Sequence, residues 1–303
     1  MDRHIALGFF DGVHRGHGAL LSLTARAAGE SGGKACALTF DAHPEALISG
    51  HRPPLLTGVM ERSDLMRRLY GMEEIIILPF DETLMRMPWD VFLREVLEER
   101  FGASHIVAGH DFHFGYRGLG NADNLRAGAE KRGIRCDIVP PVRLDGITVS
   151  STYIRGLVAQ GDMERAARFL GHPHTLYGRV RSGQRIGSGM GFPTANLPLR
   201  AELVVPAKGV YVSRLHIEGE DAPRASMTNV GVRPTVALDS PVTAETYIFD
   251  FDGSIYDKAV RVELLTFLRP ERVFSGLEAL YGQIRKDAEA ARAAHGAGAP
   301  RLP

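Results

Sequence analysis

Charge of one sign is the first thing this chain lacks. Thirty-six Lys and Arg cancel thirty-six Asp and Glu over 303 residues, so the formal net charge is zero with histidine neutral. Nonspecific nucleic-acid and membrane-surface binders depend on a long-range field, and none exists here, so any phosphate site has to be built locally. Long apolar runs are missing too. No run exceeds the four residues of Ile75 to Leu78, far short of the roughly 18 residues that a membrane helix needs. Asp2, Arg3 and Asp11 spoil a signal-peptide reading of the start, and the chain is expected to be soluble, unexported and cytoplasmic. Its two cysteines, Cys36 and Cys136, lie in apolar, strand-like stretches with no C-x-x-C. That excludes a disulfide framework and reads as two buried thiols.

With 44% hydrophobic and 24% charged residues, the chain buries a sizeable core at a length where two domains are the default. Its first half alternates apolar runs (Ile5 to Phe10, Ala35 to Phe40, Ile75 to Leu78, Ile106 to Ala108, Ile138 to Val139) with helical patterns. This rhythm predicts a parallel sheet covered by helices. Trp89, Phe92, Leu93, Val96, Leu97 and Phe101 recur at three- and four-residue spacing between Pro88 and Gly102, a helix with one buried face. From Thr175 the texture changes. Glycines and prolines punctuate runs such as Val210 to Ile217, Ala244 to Phe251 and Val260 to Phe267, which read as antiparallel strands of a barrel or sandwich. Leu277, Leu280, Ile284 and Ala288 then trace a closing helix. No internal repeat is visible, and a boundary is expected at Gly171-His172-Pro173.

Asp11-Gly12-Val13-His14-Arg15-Gly16-His17 follows a buried strand and opens a helix, where backbone N–H groups and the helix dipole attract anions. His14 and His17 share a face of the first turn, and donor imidazoles there can meet phosphate oxygens as charge develops. Gly16 lets a nucleotide approach the backbone. On spacing alone, two surface histidines or a zinc pair stay open, because H-x-x-H recurs at His110 and His113. Asp41 and His43 before Pro44 can simply shape a turn, Ser150 to Thr152 can simply cap a helix, and Phe112 and Phe114 can be core.

Taken together, Gly8-Phe9-Phe10-Asp11-Gly12-Val13-His14-Arg15-Gly16-His17, Thr39-Phe40-Asp41-Ala42-His43-Pro44, Ala108-Gly109-His110-Asp111-Phe112-His113-Phe114-Gly115 and Val149-Ser150-Ser151-Thr152-Tyr153-Ile154-Arg155 resemble the bacterial bifunctional riboflavin kinase/FAD synthetase family. The first stretch carries the H-x-G-H signature of nucleotidyltransferases, and the order and approximate spacing agree over nearly the whole chain. The resemblance implies an α/β Rossmann-like FMN adenylyltransferase domain over residues 1–172. An all-β riboflavin kinase domain over 173–303 follows, a six-stranded Greek-key-type barrel with a C-terminal helix. It further implies that His14 and His17 are catalytic on the ATP phosphates. Gly8, Phe10, Asp11, Gly16, Ser150, Ser151, Thr152 and Arg155 would surround the nucleotide, and Asp41, His43, Asp111 and Phe112 the flavin.

In the second half, Gly183-Gln184-Arg185-Ile186-Gly187-Ser188-Gly189-Met190-Gly191-Phe192-Pro193-Thr194-Ala195-Asn196 concentrates glycines ahead of a proline. Such a loop can wrap phosphates, but it lacks the G-K-[ST] ending of a P-loop, and on its residues alone a surface loop stays open. It is similar to the riboflavin kinase motif. That similarity implies Gly183, Gly187 and Gly191 at the nucleotide, and Thr194 and Asn196 as oxygen ligands to magnesium and ATP. Glu245 would be the general base for the ribityl hydroxyl and Arg269 a flavin contact. Three positions depart from the pattern: Ser188 stands where an Arg is usual, Tyr247 replaces a His, and Asp257 stands where Gly is common. They keep open an adenylyltransferase whose kinase half is weak or only binds flavin. The chain also starts almost on its first strand, without the short leader many relatives carry, which is expected to alter a lid or a contact between modules. The substrates expected are ATP, riboflavin and FMN, with FAD as product. Partners are then small molecules rather than nucleic acid or membrane, with no more than a weak or transient homo-oligomer.

Overall fold

The computed structural model describes residues 2–181, 194–232 and 242–297. By their contacts they divide into two compact units, Met1–Ser151 and Thr152–Pro303. The first runs β1 (Arg3–Leu7), α1 (Arg15–Ser31), β2 (Lys34–Phe40), α2 (Pro44–Ile48), α3 (Val59–Tyr70), β3 (Glu74–Leu78), α4 (Glu82–Arg86), α5 (Trp89–Val91), β4 (Ala103–Gly109), α6 (Ala122–Glu130), β5 (Arg135–Val139) and a short hairpin, β6 (Arg143–Leu144) with β7 (Ile147–Thr148). Five strands pair in parallel in the order β3-β2-β1-β4-β5. The strand order reverses between β1 and β4, and the carboxyl ends at such a point form the crevice where open α/β sheets take ligands.

Side chains alternate across a strand, so a parallel sheet covered on both faces needs two apolar sets. One face carries Ile5, Leu7, Leu38, Ile106 and Ala108, packed under Phe92, Leu93, Leu97 and Leu125. The other carries Ala6, Ala35, Ala37 and Val107 under Leu20, Leu21, Leu65 and Met66, and its small alanines let α1 and α3 sit close. The stripe after Pro88 is helical as its spacing predicts, yet beyond α5 it is wound as a π-helix over Phe92–Arg100. Phe101 N–H reaches the Val96 carbonyl, five residues back, at 3.1 Å. Apolar spacing does not distinguish the two windings. Cys36 and Cys136 are unpaired, and burial pushes both thiols up to about 11, which makes them poor nucleophiles.

The second unit comprises α7 (Ser151–Gln160, from its second residue), α8 (Met163–Leu170), β8 (His174–Arg179), β9 (Thr194–Pro198), β10 (Gly209–Ile217), β11 (Arg224–Val232), β12 (Val242–Ile248), β13 (Ala259–Pro270) and α9 (Leu277–Gly296). Its six strands form one sheet ordered β8-β13-β10-β11-β12-β9, an antiparallel sheet curled into a half-barrel. The α7 and α8 helices belong with these strands: Ala207 N–H donates to the Val158 carbonyl at 3.3 Å and Thr266 Oγ1 to Glu164 Oε1 at 2.9 Å. On the concave side Ser213, Ser226, Thr228 and Thr246, all fully buried, satisfy one another through hydroxyl contacts of 2.8, 2.8 and 2.9 Å. On the convex side Ile284, Ala288 and Ala291 of α9 cover Val212, Met227 and Tyr247.

Buried histidines make this fold acid-sensitive. Burial, first in each case, holds His4, His105 and His174 below the usual histidine value. His174 falls from 6.5 to about 4, aided by neighbouring His172. The folded chain therefore binds fewer protons than the unfolded one below the unfolded pKa, so the stability is present above that value and is lost as pH falls towards the folded value. For His174 alone the loss is roughly 3 kcal/mol. Thermal melts at pH 7 and pH 5 should show a clear drop that is smaller in His174→Phe. Equal drops in both proteins contradict this assignment.

Candidate active sites

At the carboxyl end of β1 the chain makes a sharp reversal. Phe10 takes a left-handed conformation with φ 58 and Gly12 has φ 75, which turns the backbone from strand to helix within a few residues. Three anchors hold this loop. The Asp11 carboxylate accepts the N–H groups of Leu56 at 2.8 Å and Thr57 at 3.0 Å. The Asp11 carbonyl accepts Ser151 Oγ at 3.0 Å, from 140 residues away. Thr39 Oγ1 donates to the Phe9 carbonyl at 2.9 Å. Asp11 is thus a buried support of the loop. Phe10 is wholly enclosed in the core, so its side chain shapes the turn from within.

His14 is the N-cap of α1. Its Nδ1 accepts His17 N–H at 3.2 Å, so the proton of the neutral ring sits on Nε2. The two imidazoles stack, with centroids 3.6 Å apart and planes 12° from parallel, and Phe10 meets His17 edge-on at 5.2 Å. Desolvation, then the charges of His14 and Arg62, hold His17 well below the usual histidine range, so its ring is neutral at neutral pH. Its Nδ1 has no partner among the described residues. First-turn N–H groups lack intrahelical acceptors, and together with this ring pair they make a site suited to anionic oxygens. A Cβ on Gly16 would stand 3.0 Å from His14 Cε1 and 3.1 Å from its Nδ1, so a larger residue here would crowd the capping ring.

The rim residues divide by environment. Asp41 is exposed and its Oδ1 accepts Phe80 N–H at 2.9 Å. His43 caps α2 through Glu45 N–H at 3.3 Å and packs edge-on to Phe9 at 4.7 Å. Asp111 is exposed, whereas Phe112 is half-buried and stacks on core residue Phe114 at 5.4 Å. Gly8 N–H pairs with the Leu38 carbonyl at 3.2 Å. Ser150 is half-buried beside Ser151. On α7 in the second unit, Arg155 Nη2 donates to Thr152 Oγ1 at 3.0 Å.

The second constellation is set by strand register. Asn196 on β9 faces Glu245 on β12, Glu245 faces Asn229 on β11, Asn229 faces Val210 on β10, and Val210 faces Arg269 on β13. Directly paired residues share one face, so an amide, a carboxylate and a second amide form a row on the side that α9 covers. Thr194, two residues from Asn196, shares that face. Asn196 is 3% exposed, and Glu245 is half-buried. Asn229, in the Thr228-Asn229-Val230-Gly231-Val232-Arg233-Pro234-Thr235 stretch that also resembles the kinase family, carried no assigned role in the sequence; strand register is what places it in this row. Gly183, Gly187, Gly191 and Ser188 lie outside the described residues. A cavity of about 500 Å³ opens elsewhere on this unit, bordered by Tyr177, Arg179, His216 and Arg261, six residues along β10 from Val210.

Two departures from the motif have a structural account. Tyr247 is 7% exposed in the cluster under α9, and burial pushes its hydroxyl pKa up, so it acts there as a neutral packing residue. Asp257 has φ 62, a left-handed position that Gly fills at no cost and Asp tolerates. Arg269 is held by Asp287 of α9 through contacts of 2.9, 3.0 and 2.6 Å, and Gln283 Nε2 completes the pair at 2.8 Å. This buried ion pair fastens the last helix to β13. Arg269→Ala leaves a carboxylate that is 6% exposed without its cationic partner, and is expected to cost about 3–5 kcal/mol. Urea denaturation reads this directly, and a change below 1 kcal/mol contradicts it.

A phosphate-ready crevice at the switch point of a parallel sheet, joined to a curled β unit with its own carboxylate, belongs to an enzyme with two nucleotide-handling modules. Family comparison separates the modules in the same order: a model described as FAD synthetase matches residues 1–153, and one described as riboflavin kinase matches 170–295. The chain belongs to the bifunctional riboflavin kinase/FMN adenylyltransferase family. The relative of that name from Pseudomonas fluorescens is 36% identical over 95% of this chain and 91% of its own length. That from Listeria monocytogenes serovar 1/2a is 32% identical over 97% and 92%. A crystal structure titled macrolide-efflux protein from Streptococcus pneumoniae matches with a TM-score of 0.83 at 29% identity, over 96% of this chain and 94% of that one. Among the described residues no helix here is long and apolar enough to cross a membrane.

Proposed function

We propose that the protein makes FAD from riboflavin in two ATP-dependent steps. In the first, the ribityl hydroxyl oxygen of riboflavin attacks the γ-phosphorus of ATP. The bond to the bridging oxygen breaks, ADP leaves, and Glu245 takes the hydroxyl proton. In the second, an FMN phosphate oxygen attacks the α-phosphorus of a second ATP and pyrophosphate leaves. No protein nucleophile is needed. His14 and His17 donate hydrogen bonds where negative charge grows on the departing pyrophosphate, and the N-terminus of α1 supplies backbone N–H groups. The observation that carries this reading is the stacked His14–His17 pair at the head of α1.

Gly8, Gly16, Ser150 and Ser151 line the nucleotide side of the first unit in this reading, with Phe10 and Asp11 as their scaffold, and Thr152 and Arg155 continue the same motif. Asp41, His43, Asp111 and Phe112 form the flavin rim. The oxygen donors of Thr194 and Asn196, on one face beside Glu245, suit a hard divalent cation and would hold magnesium. Bound there, magnesium supplies charge neutralisation on ATP phosphate oxygens. Two unpaired thiols agree with a reducing, cytoplasmic setting. Supplying riboflavin, ATP and magnesium and resolving the flavins by chromatography tests the proposal. FMN should appear first and FAD after it. FAD formed only from added FMN would instead identify an adenylyltransferase with a silent kinase half, and no product from either substrate would identify a flavin carrier.

A further inference from the structure

Arg62 of α3 is fully buried and, among the described residues, the largest side chain to be so, a poor place for a charge. Its Nη2 donates to the Phe40 carbonyl, and its guanidinium lies over the Phe9 ring, 4.1 Å from the centroid. Nε and Nη1 have no partner among the described residues, which is costly for a cation out of water. An apolar residue beside Leu65 and Met66 would meet the packing need alone. What the arginine adds is a grip on two loops at once: Phe9 leaves β1, and Phe40 ends β2. Beyond Phe9 the contacts continue in two directions, through its ring edge to His43 and along the chain through Phe10 to His17 and His14.

We propose that Arg62 is a positioning residue of the adenylyl-transfer site, clamping the loops that leave β1 and β2 so that His14 and His17 stand in register with His43 across the crevice. This rests on the reading of His14 and His17 as phosphate donors. The charged groups that bear on Arg62 are Asp11, Glu61 and Asp41. Asp11 and Asp41 each already accept backbone N–H groups. Burial brings the guanidinium to about 10, so it stays charged at neutral pH. That fixed charge and the His14 ring are the titratable groups acting on His17. Arg62 therefore has two separable effects, one of geometry and one of charge.

Arg62→Met and Arg62→Lys divide them. Methionine fills the space without charge, while lysine keeps the charge but loses the planar stack on Phe9. Both should lower kcat for FMN adenylylation by ten- to a hundred-fold, since small misplacements near a reacting group cost that much. In Arg62→Met, His17 gains a proton more readily, so the acid limb of the pH–rate profile should move to higher pH; in Arg62→Lys it should stay. Loss of structure alone would scale down both the adenylylation and riboflavin phosphorylation without moving the limb. Wild-type adenylylation and an unmoved limb in a folded Arg62→Met overturn the proposal. If that variant does not fold, Arg62→Lys decides it, and a wild-type kcat there overturns it. The phosphate-donor reading is checked separately with His17→Ala: retained FAD synthesis in that variant removes the reading itself, whereas its loss beside an unaffected Arg62→Met removes only Arg62.

Discussion

His17→Ala is expected to stop flavin conversion at FMN. The ring it removes stacks on His14 at 3.6 Å at the head of α1, where the proposed reaction puts developing negative charge against preorganised donors. Removing one such donor typically lowers a rate by about 100- to 1,000-fold, while riboflavin phosphorylation, assigned to the other unit, continues. FMN should accumulate from riboflavin and ATP, and a supplied pool of FMN should remain unadenylated. The helix itself should survive, because the cap of α1 rests on the His14 ring and the backbone N–H of residue 17, which alanine retains. A circular dichroism spectrum like that of the parent, together with FAD formation at the parent rate, would show that the ring pair plays no part in nucleotidyl transfer.

The complementary loss is expected from Glu245→Gln. Strand register sets Glu245 between Asn196 and Asn229. The substitution keeps the side-chain length and removes only the proton acceptor. Losing a general base costs roughly 100- to 10,000-fold, so FMN production from riboflavin should fall by that range while adenylylation of supplied FMN is unchanged. Steady-state kinetics should place the loss in kcat rather than in the KM for ATP. An unaltered kcat for riboflavin phosphorylation would remove Glu245 as the base and leave this carboxylate a strand residue.

Where a property is periodic along the chain, the sequence displays it. The five apolar runs of the first half became five parallel strands because each must fill both faces of one sheet, and the Gly-punctuated runs after Thr175 became antiparallel strands. The helix-opening histidines were legible because a strand, a turn and a helix start in ten residues leave little freedom for where their rings go. Contacts between distant residues were not legible. The Ser151 hydroxyl reaches Asp11, and Arg269 closes on Asp287 of a helix that the flavin motif does not include. Arg62 is an arginine in a helix whose exposed positions also carry arginines, so only the fold distinguishes the buried one. Tyr247 and Asp257 looked like lost functional groups; in the fold one packs beneath α9 and the other occupies a left-handed turn, roles that one-dimensional spacing does not carry.

The central claim, two phosphorus transfers from two ATP molecules on one chain, is tested most directly by the origin of each phosphorus in FAD. Riboflavin is supplied with ATP labelled at the γ-position in one reaction and at the α-position in another, and FMN and FAD are isolated from each. Label from the γ-position should enter FMN and pass into FAD, and label from the α-position should enter FAD alone. FAD that carries α-label but no γ-label, or unlabelled flavins in both reactions, would contradict the account.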